Sequence, residues 1–159
     1  MASQNVIERY LSATVTQGSA AAFVQGTFTT NIEPSTGYAL KVTEVVGKMR
    51  EGQSLLCGSN SATVSWSLSR DTKTAVGELN DTDIIYADGF HVWNITSGIS
   101  TRNLAFSYRP VNGLMLVEPT VYFQLDSTAT SSAITMDIRM YYEEVKLSEV
   151  EILRLLNNL

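Results

Sequence analysis

The sequence predicts an all-β fold: an antiparallel β-sandwich or barrel of about eight strands, closed by one short C-terminal helix. Three observations carry this. Apolar and polar residues alternate with a period of two in one segment after another, the period of a strand with one face buried. Gly, Pro, Asn and Asp break those segments at short intervals, as turns do. Serine and threonine account for 34 of the 159 residues while only 17% are charged, a balance that suits strands and turns better than helices. The length is that of a single domain able to bury roughly two thirds of its unfolded surface, and no internal repeat is visible.

Residues 1–22 read as an N-terminal arm. Val6, Ile7, Tyr10 and Leu11 have helical spacing, which fits a short amphipathic turn or two, and the small residues of 17–22 make a flexible connection. A terminus folded back onto its own domain is the competing reading. The sandwich is assigned to 23–147. Its first strand spans 23–32, with Gly26 marking a bulge or a close approach, and Pro34 and Gly37 end it. A second strand covers 38–46 and a loop 47–60. In the third, 62–70, Val64, Trp66 and Leu68 share one face and Thr63, Ser65, Ser67 and Ser69 the other. Residues 71–81 form a polar connection. Residues 83–86 and 91–95 read as two short strands, or as one broken by the turn-like Ala87-Asp88-Gly89. Another strand at 102–108 stops at Pro110, and Asn112-Gly113 favours a tight hairpin into 114–117. Residues 121–125 form a further strand, followed by a polar loop at 126–131.

The last stretch is the most informative. Ile134, Met136, Ile138, Met140 and Tyr142 alternate with Thr135, Asp137, Arg139, Tyr141 and Glu143, giving a long strand. Ser148-Glu149-Val150-Glu151 then has the form of a capping box, in which the serine oxygen and the glutamate each satisfy a free backbone N–H. A helix therefore occupies 148–159, with Ile152, Leu155, Leu156 and Leu159 on one face that must be buried.

The terminal strand with Arg139, Tyr141 and Tyr142, the following acidic doublet, the step from Val145 to Ser148, and the short helix with Glu151, Ile152 and Leu155 together resemble the C-terminus of virion capsid proteins. The family concerned is the jelly-roll coat proteins of small, largely uncultured viruses. The resemblance covers about a sixth of the chain at motif level, and the remainder agrees in strand rhythm. It implies a single jelly roll, a place in the virion, and a capsid subunit that self-assembles through arm, edge and C-terminal contacts. Its partners would be identical subunits and other capsid proteins. On strand rhythm alone, an immunoglobulin-like topology fits nearly as well as a jelly roll. One departure stands out: small viruses that pack their genomes directly against the shell often carry an Arg-rich arm, and residues 1–22 are not Arg-rich. Without clustered cations, direct nucleic-acid binding is not expected, and an internal membrane or a second protein would have to neutralise the genome. Val6, Ile7, Tyr10, Leu11, Ile152, Leu155 and Leu156 are the candidate assembly contacts.

Catalytic equipment is not expected. A serine or cysteine nucleophile needs a base beside it, and His91, the single histidine, lies in strand-like surroundings. Cys57, the single cysteine, reads as a small apolar filler and excludes an internal disulfide. Glu143 and Glu144 are adjacent on a strand and so point to opposite faces, unlike a glycosidase pair. Glu78, Asp81, Asp83 and Asp88 have oxygen ligands suited to calcium but lack EF-hand spacing, and no phosphate-binding glycine motif occurs. No cofactor or metal is therefore assigned. Asn80-Asp81-Thr82 and Asn94-Ile95-Thr96 match the glycosylation pattern at the frequency chance supplies. No apolar run approaches the ~20 residues of a membrane span, and Met1 to Asn5 do not read as the start of a signal peptide. The rival function is a β-sandwich binding module for a glycan or protein partner, with Trp66, Trp93, Tyr86 and Tyr108 as candidate platform aromatics.

Overall fold

The period-two segments become strands, and backbone hydrogen bonds join them into two antiparallel sheets. The computed structural model describes residues 9–50, 61–93, 105–128, 130 and 132–157. In chain order these form β1 (Arg9–Thr16), β2 (Val24–Thr29), a 3-10 turn (Pro34–Thr36), β3 (Tyr38–Met49), β4 (Ser61–Ser69), β5 (Ile84–Trp93), β6 (Ala105–Tyr108), β7 (Leu114–Leu116), β8 (Thr120–Thr128), β9 (Thr135–Lys146) and α1 (Glu149–Asn157). One sheet, A, has the order β1-β9-β3-β6 with β7 also on β3, and the other, B, has the order β2-β8-β4-β5.

The pairing is nested. The first strand pairs with the last, β2 with β8, β3 with β6 and β7, and β4 with β5, while β9–β3 and β8–β4 contacts complete the sheets. This is the winding of a jelly roll. An immunoglobulin-like sandwich would instead make its first two strands neighbours in one sheet. The core lies between the sheets. Val15, Leu40, Val42, Val45, Met49, Met136, Ile138 and Met140 come from sheet A, and Phe28, Val64, Trp66, Leu68, Val121, Phe123 and Leu125 from sheet B; all are buried.

Several sequence expectations are corrected. Tyr10 and Leu11 lie in β1, paired residue by residue with β9, and not in a helical turn; Val6 and Ile7 lie outside the described residues. The four-residue spacing that suggested a helix is overridden by alternation, since Leu11, Ala13 and Val15 face inward while Tyr10, Ser12, Thr14 and Thr16 are exposed. β3 runs past Val46 to Met49, and its register shifts between Val42 and Glu44. That bulge lets Leu40 and Val42, and then Val45 and Met49, all reach the core. β8 likewise continues through Thr128 and β9 through Lys146.

Ala87-Asp88-Gly89 is not a turn, because β5 runs unbroken through it. Gly89 stands opposite Ser65, where a Cβ would lie 2.9 Å from the Val64 carbonyl oxygen, so the glycine permits a close approach of two backbones. Asn112-Gly113 does not make a hairpin either, since β6 and β7 both pair with β3 and run in the same direction. They are one edge strand interrupted opposite the β3 bulge. The excursion turns at Pro110, whose carbonyl accepts the Gly113 N–H at 3.0 Å, with Asn112 at a φ of 65°.

Gly26 shows no register shift and marks a close approach. A Cβ there would lie 2.4 Å from Cγ2 of the buried Val15, on the facing sheet. Gly26→Ala should therefore lower stability by about 1–3 kcal/mol through overpacking. Adding Val15→Ala should recover part of that loss, so that the double variant is more stable than the two single losses predict. Denaturant unfolding of all four proteins measures the coupling, and strict additivity would show that the two side chains do not oppose each other.

Candidate interaction surface

The C-terminal strand and helix are joined by the capping box that the sequence announces. The Glu151 carboxylate accepts from the Ser148 backbone N–H at 2.9 Å and from its hydroxyl at 2.7 Å, and the Glu151 N–H reaches the Ser148 oxygen at 3.4 Å. These bonds hold the Glu151 carboxyl below the usual glutamate range. The helix lies against the 3-10 turn, with a shallow groove of about 500 Å³ lined by Pro34, Thr36, Ile152, Leu153 and Leu156. Gly37, left-handed at φ 75°, ends the 3-10 turn, and its carbonyl accepts from the Leu147 N–H at 2.8 Å. Of the three candidate contacts in α1, Ile152 is buried, while Leu155 and Leu156 are half-buried. The sequence reading missed the outward face, where Val150 is 58% and Leu153 56% exposed. The sequence signal for them is their three-residue spacing, off the stripe of Ile152, Leu155 and Leu156. Leu159 lies outside the described residues.

Sheet A presents a second surface on its solvent side. Tyr10, half-exposed, meets the Tyr141 ring at 5.9 Å, and the Arg139 guanidinium sits 5.1 Å from the Tyr10 ring centre. Asp137 accepts from the Thr14 hydroxyl at 2.7 Å and from Arg50 at 2.8 and 3.1 Å. The Arg50 bonds first, and then Thr14, hold its carboxyl below the usual aspartate range. Glu44 is held low in the same way by Arg109 and then Ser107, with bonds of 2.9, 3.2 and 2.6 Å. Glu144 pairs with Arg9 and Glu143 with Lys41, so the two adjacent glutamates engage opposite neighbouring strands. These are solvent-screened pairs whose value lies in orientation more than stability.

Sheet B is different. Ser67, Ser69 and Gln124 point away from the core and are nevertheless buried, because residues 70–83 fold over them. Gln124 accepts from Ser67 and donates to Ser69 and Gln25, at 2.8, 2.6 and 3.0 Å. The Gly77 and Lys73 backbone amides complete the network at Ser67 and Gln25. A second buried cluster joins the β1 end to the β8–β9 connection. Gln17 donates to the Ala22 carbonyl and the Ser127 hydroxyl and accepts from the Ile134 N–H, and Thr130 bonds Ser127. These partners lie up to 117 residues apart, so no local pattern could have revealed them.

The chemical candidates are scattered. His91 is a β5 residue opposite Thr63, and Cys57 lies outside the described residues, as does Asn94-Ile95-Thr96. Asp81 and Asp83 share the Lys73 ammonium at 2.7 and 3.2 Å, Asp88 accepts from the Tyr86 hydroxyl at 2.7 Å, and Glu78 bonds Asp81 through its carbonyl. Among the described residues no three His, Cys, Asp or Glu side chains are grouped to hold a metal ion. Trp66 is buried and stacks on Phe106 at 5.3 Å, and Tyr86 stacks on Tyr108 at 4.4 Å. Burial, reinforced by Asp88, pushes the Tyr86 phenol up to about 12. Trp66 belongs to the core, Phe106, Tyr86 and Tyr108 pack half-buried against it, and the Trp93 side chain lies outside the described residues. No helix of the described residues is long and apolar enough to cross a membrane.

Ser148→Ala should cost about 1 kcal/mol, and Ile152→Ala about 2–5 kcal/mol, with smaller losses at the half-buried Leu155 and Leu156, all read by chemical unfolding. Asp137 has a folded-state pKa below its unfolded value, so its stabilisation is present above the ordinary aspartate range and lost as pH falls through the folded-state value. Asp137→Asn should therefore flatten the acid limb of the stability–pH curve. An unchanged limb would remove Asp137 from the acid response.

No protein-family model matches this chain, and no curated protein matches it.

Proposed function

We propose that this chain is a structural virion protein, a capsid subunit that self-assembles into a shell through its N-terminal segment, its strand edges and its C-terminal helix. The observation that carries the proposal is the nested jelly-roll order, first strand against last, in the chain whose terminal strand and helix resemble those of coat proteins. Viral capsid domains share that winding with lectin domains and cupins. Trp66, a candidate platform ring, is taken up by the core, and the outward Val150 and Leu153 offer apolar surface on the C-terminal helix. Its partners in this reading are identical subunits, together with other capsid proteins, and contact with an internal membrane or a second protein takes the place of direct genome binding.

Mass in solution tests the proposal. Shell subunits form large symmetric particles or the fixed rings that build them, and a solitary binding module stays monomeric. Leu153→Asp should leave monomer unfolding within about 0.5 kcal/mol of the parent protein, because the side chain is exposed. It should reduce particle yield at least tenfold if α1 lies at a subunit boundary. A parent protein monomeric under all assembly conditions would end the shell reading in favour of the binding module.

A further inference from the structure

We infer that β1 is a pairing edge for a second copy of this chain, joining two A sheets across a two-fold axis through antiparallel β1–β1 hydrogen bonds. This deepens the shell-subunit reading by naming one of the contacts it needs. The geometry begins with parity. The Gln17 N–H donates to the Ile134 carbonyl at 3.0 Å, one step beyond the Thr16–Thr135 pair, so 17 and 134 stand at a hydrogen-bonding position of the ladder, with the Ile134 N–H taken by the Gln17 side chain. Counting back along the register, Val15, Ala13, Leu11 and Arg9 turn their backbone groups toward β9. Tyr10, Ser12, Thr14 and Thr16 turn theirs away from it. Among the described residues β9 is the one strand that β1 pairs with, which leaves that row facing outward.

The edge also lacks the features that block pairing. β1 is eight residues long with an unshifted register, contains neither proline nor lysine, and carries one charge, Arg9, at its end. The opposite edge of the same sheet is interrupted by the excursion through Pro110. A second copy is the occupant that fits, because the strand complements itself. With the two-fold axis at Ser12, Tyr10 of each copy meets Thr14 of the other, Ser12 meets Ser12, and no like charges oppose. About six backbone hydrogen bonds would form, all from outward-facing residues. The exposed row Tyr10, Ser12 and Thr14 would then continue across the joined sheet.

The parity supplies a selective test. Ser12→Pro removes an outward N–H that β9 does not use, so the fold should persist while the edge is blocked. In the full-length protein, sedimentation should show a dimer or a larger even-numbered assembly for the parent and at least tenfold weaker association for Ser12→Pro, with an unchanged melting point for the monomer. Amide hydrogen exchange on the parent gives a second readout: Tyr10, Ser12 and Thr14 should gain protection as concentration rises. Association unchanged by Ser12→Pro, or no protection gained at those amides in the associated protein, overturns the edge pairing while leaving the shell reading in place. A parent that forms the protected dimer yet never builds larger particles keeps the edge and ends the shell reading. A parent monomeric at every concentration overturns both.

Discussion

The structure depends on the pairing of the last strand with both the first and the third. β9 runs for twelve residues with β1 along one side and β3 along the other. Ile134, Met136, Ile138 and Met140, at its start and along its length, supply the floor of the core. Such contacts are among the most distant in the chain, and loop-closure entropy opposes them until many form together. They favour late, cooperative formation of the sandwich, and among the described residues β4 and β5 are the one pair of consecutive strands that are neighbours, the local contact available early.

One irregularity in β3 is answered on two sides. The bulge between Val42 and Glu44 changes which residues face inward, and β6 and β7 accommodate it by leaving β3 over residues 109–113 and returning in register. Glu44, at the bulge, holds Arg109 where that excursion begins and Ser107 just before it. A hydrogen-bonded carboxylate thus marks the place where the edge strand breaks, and the same break shields that edge of the sheet from further pairing.

The fold was largely legible because alternation is local. The 62–70 and 134–143 segments show their buried faces directly, and the box at Ser148 and Glu151 announces the helix start. The departures from expectation share a cause: tertiary packing sets the conformation where residue type alone points elsewhere. Gly89 reads as a turn but serves backbone approach to Ser65, and Asn112-Gly113 turns an excursion where a hairpin was expected. Tyr10 and Leu11 have helical spacing, yet an available β9 edge and the inward Leu11, Ala13 and Val15 outweigh it. Of the candidate contacts, Ile152 is an internal anchor, and the outward Val150 and Leu153 lie off the apolar stripe that helical spacing marks for burial.

Alternation leaves one ambiguity that the buried polar groups remove. A strand that slips by two residues keeps every side chain on its proper face, so hydrophobic pattern alone does not distinguish the native register from its neighbours. In sheet B, Gln124 on β8 bonds Gln25 on β2 and both Ser67 and Ser69 on β4, and each bond exists only in the native register. In sheet A, Gln17 fixes the end of β1 to Ile134 and to Ser127 by the same means. Each buried group left unsatisfied by a slip costs about 1–3 kcal/mol, about twice the net gain of a hydrogen bond between neutral groups. The apolar residues therefore decide which face is inside, and these few amides and hydroxyls decide which of the equivalent alignments the chain adopts.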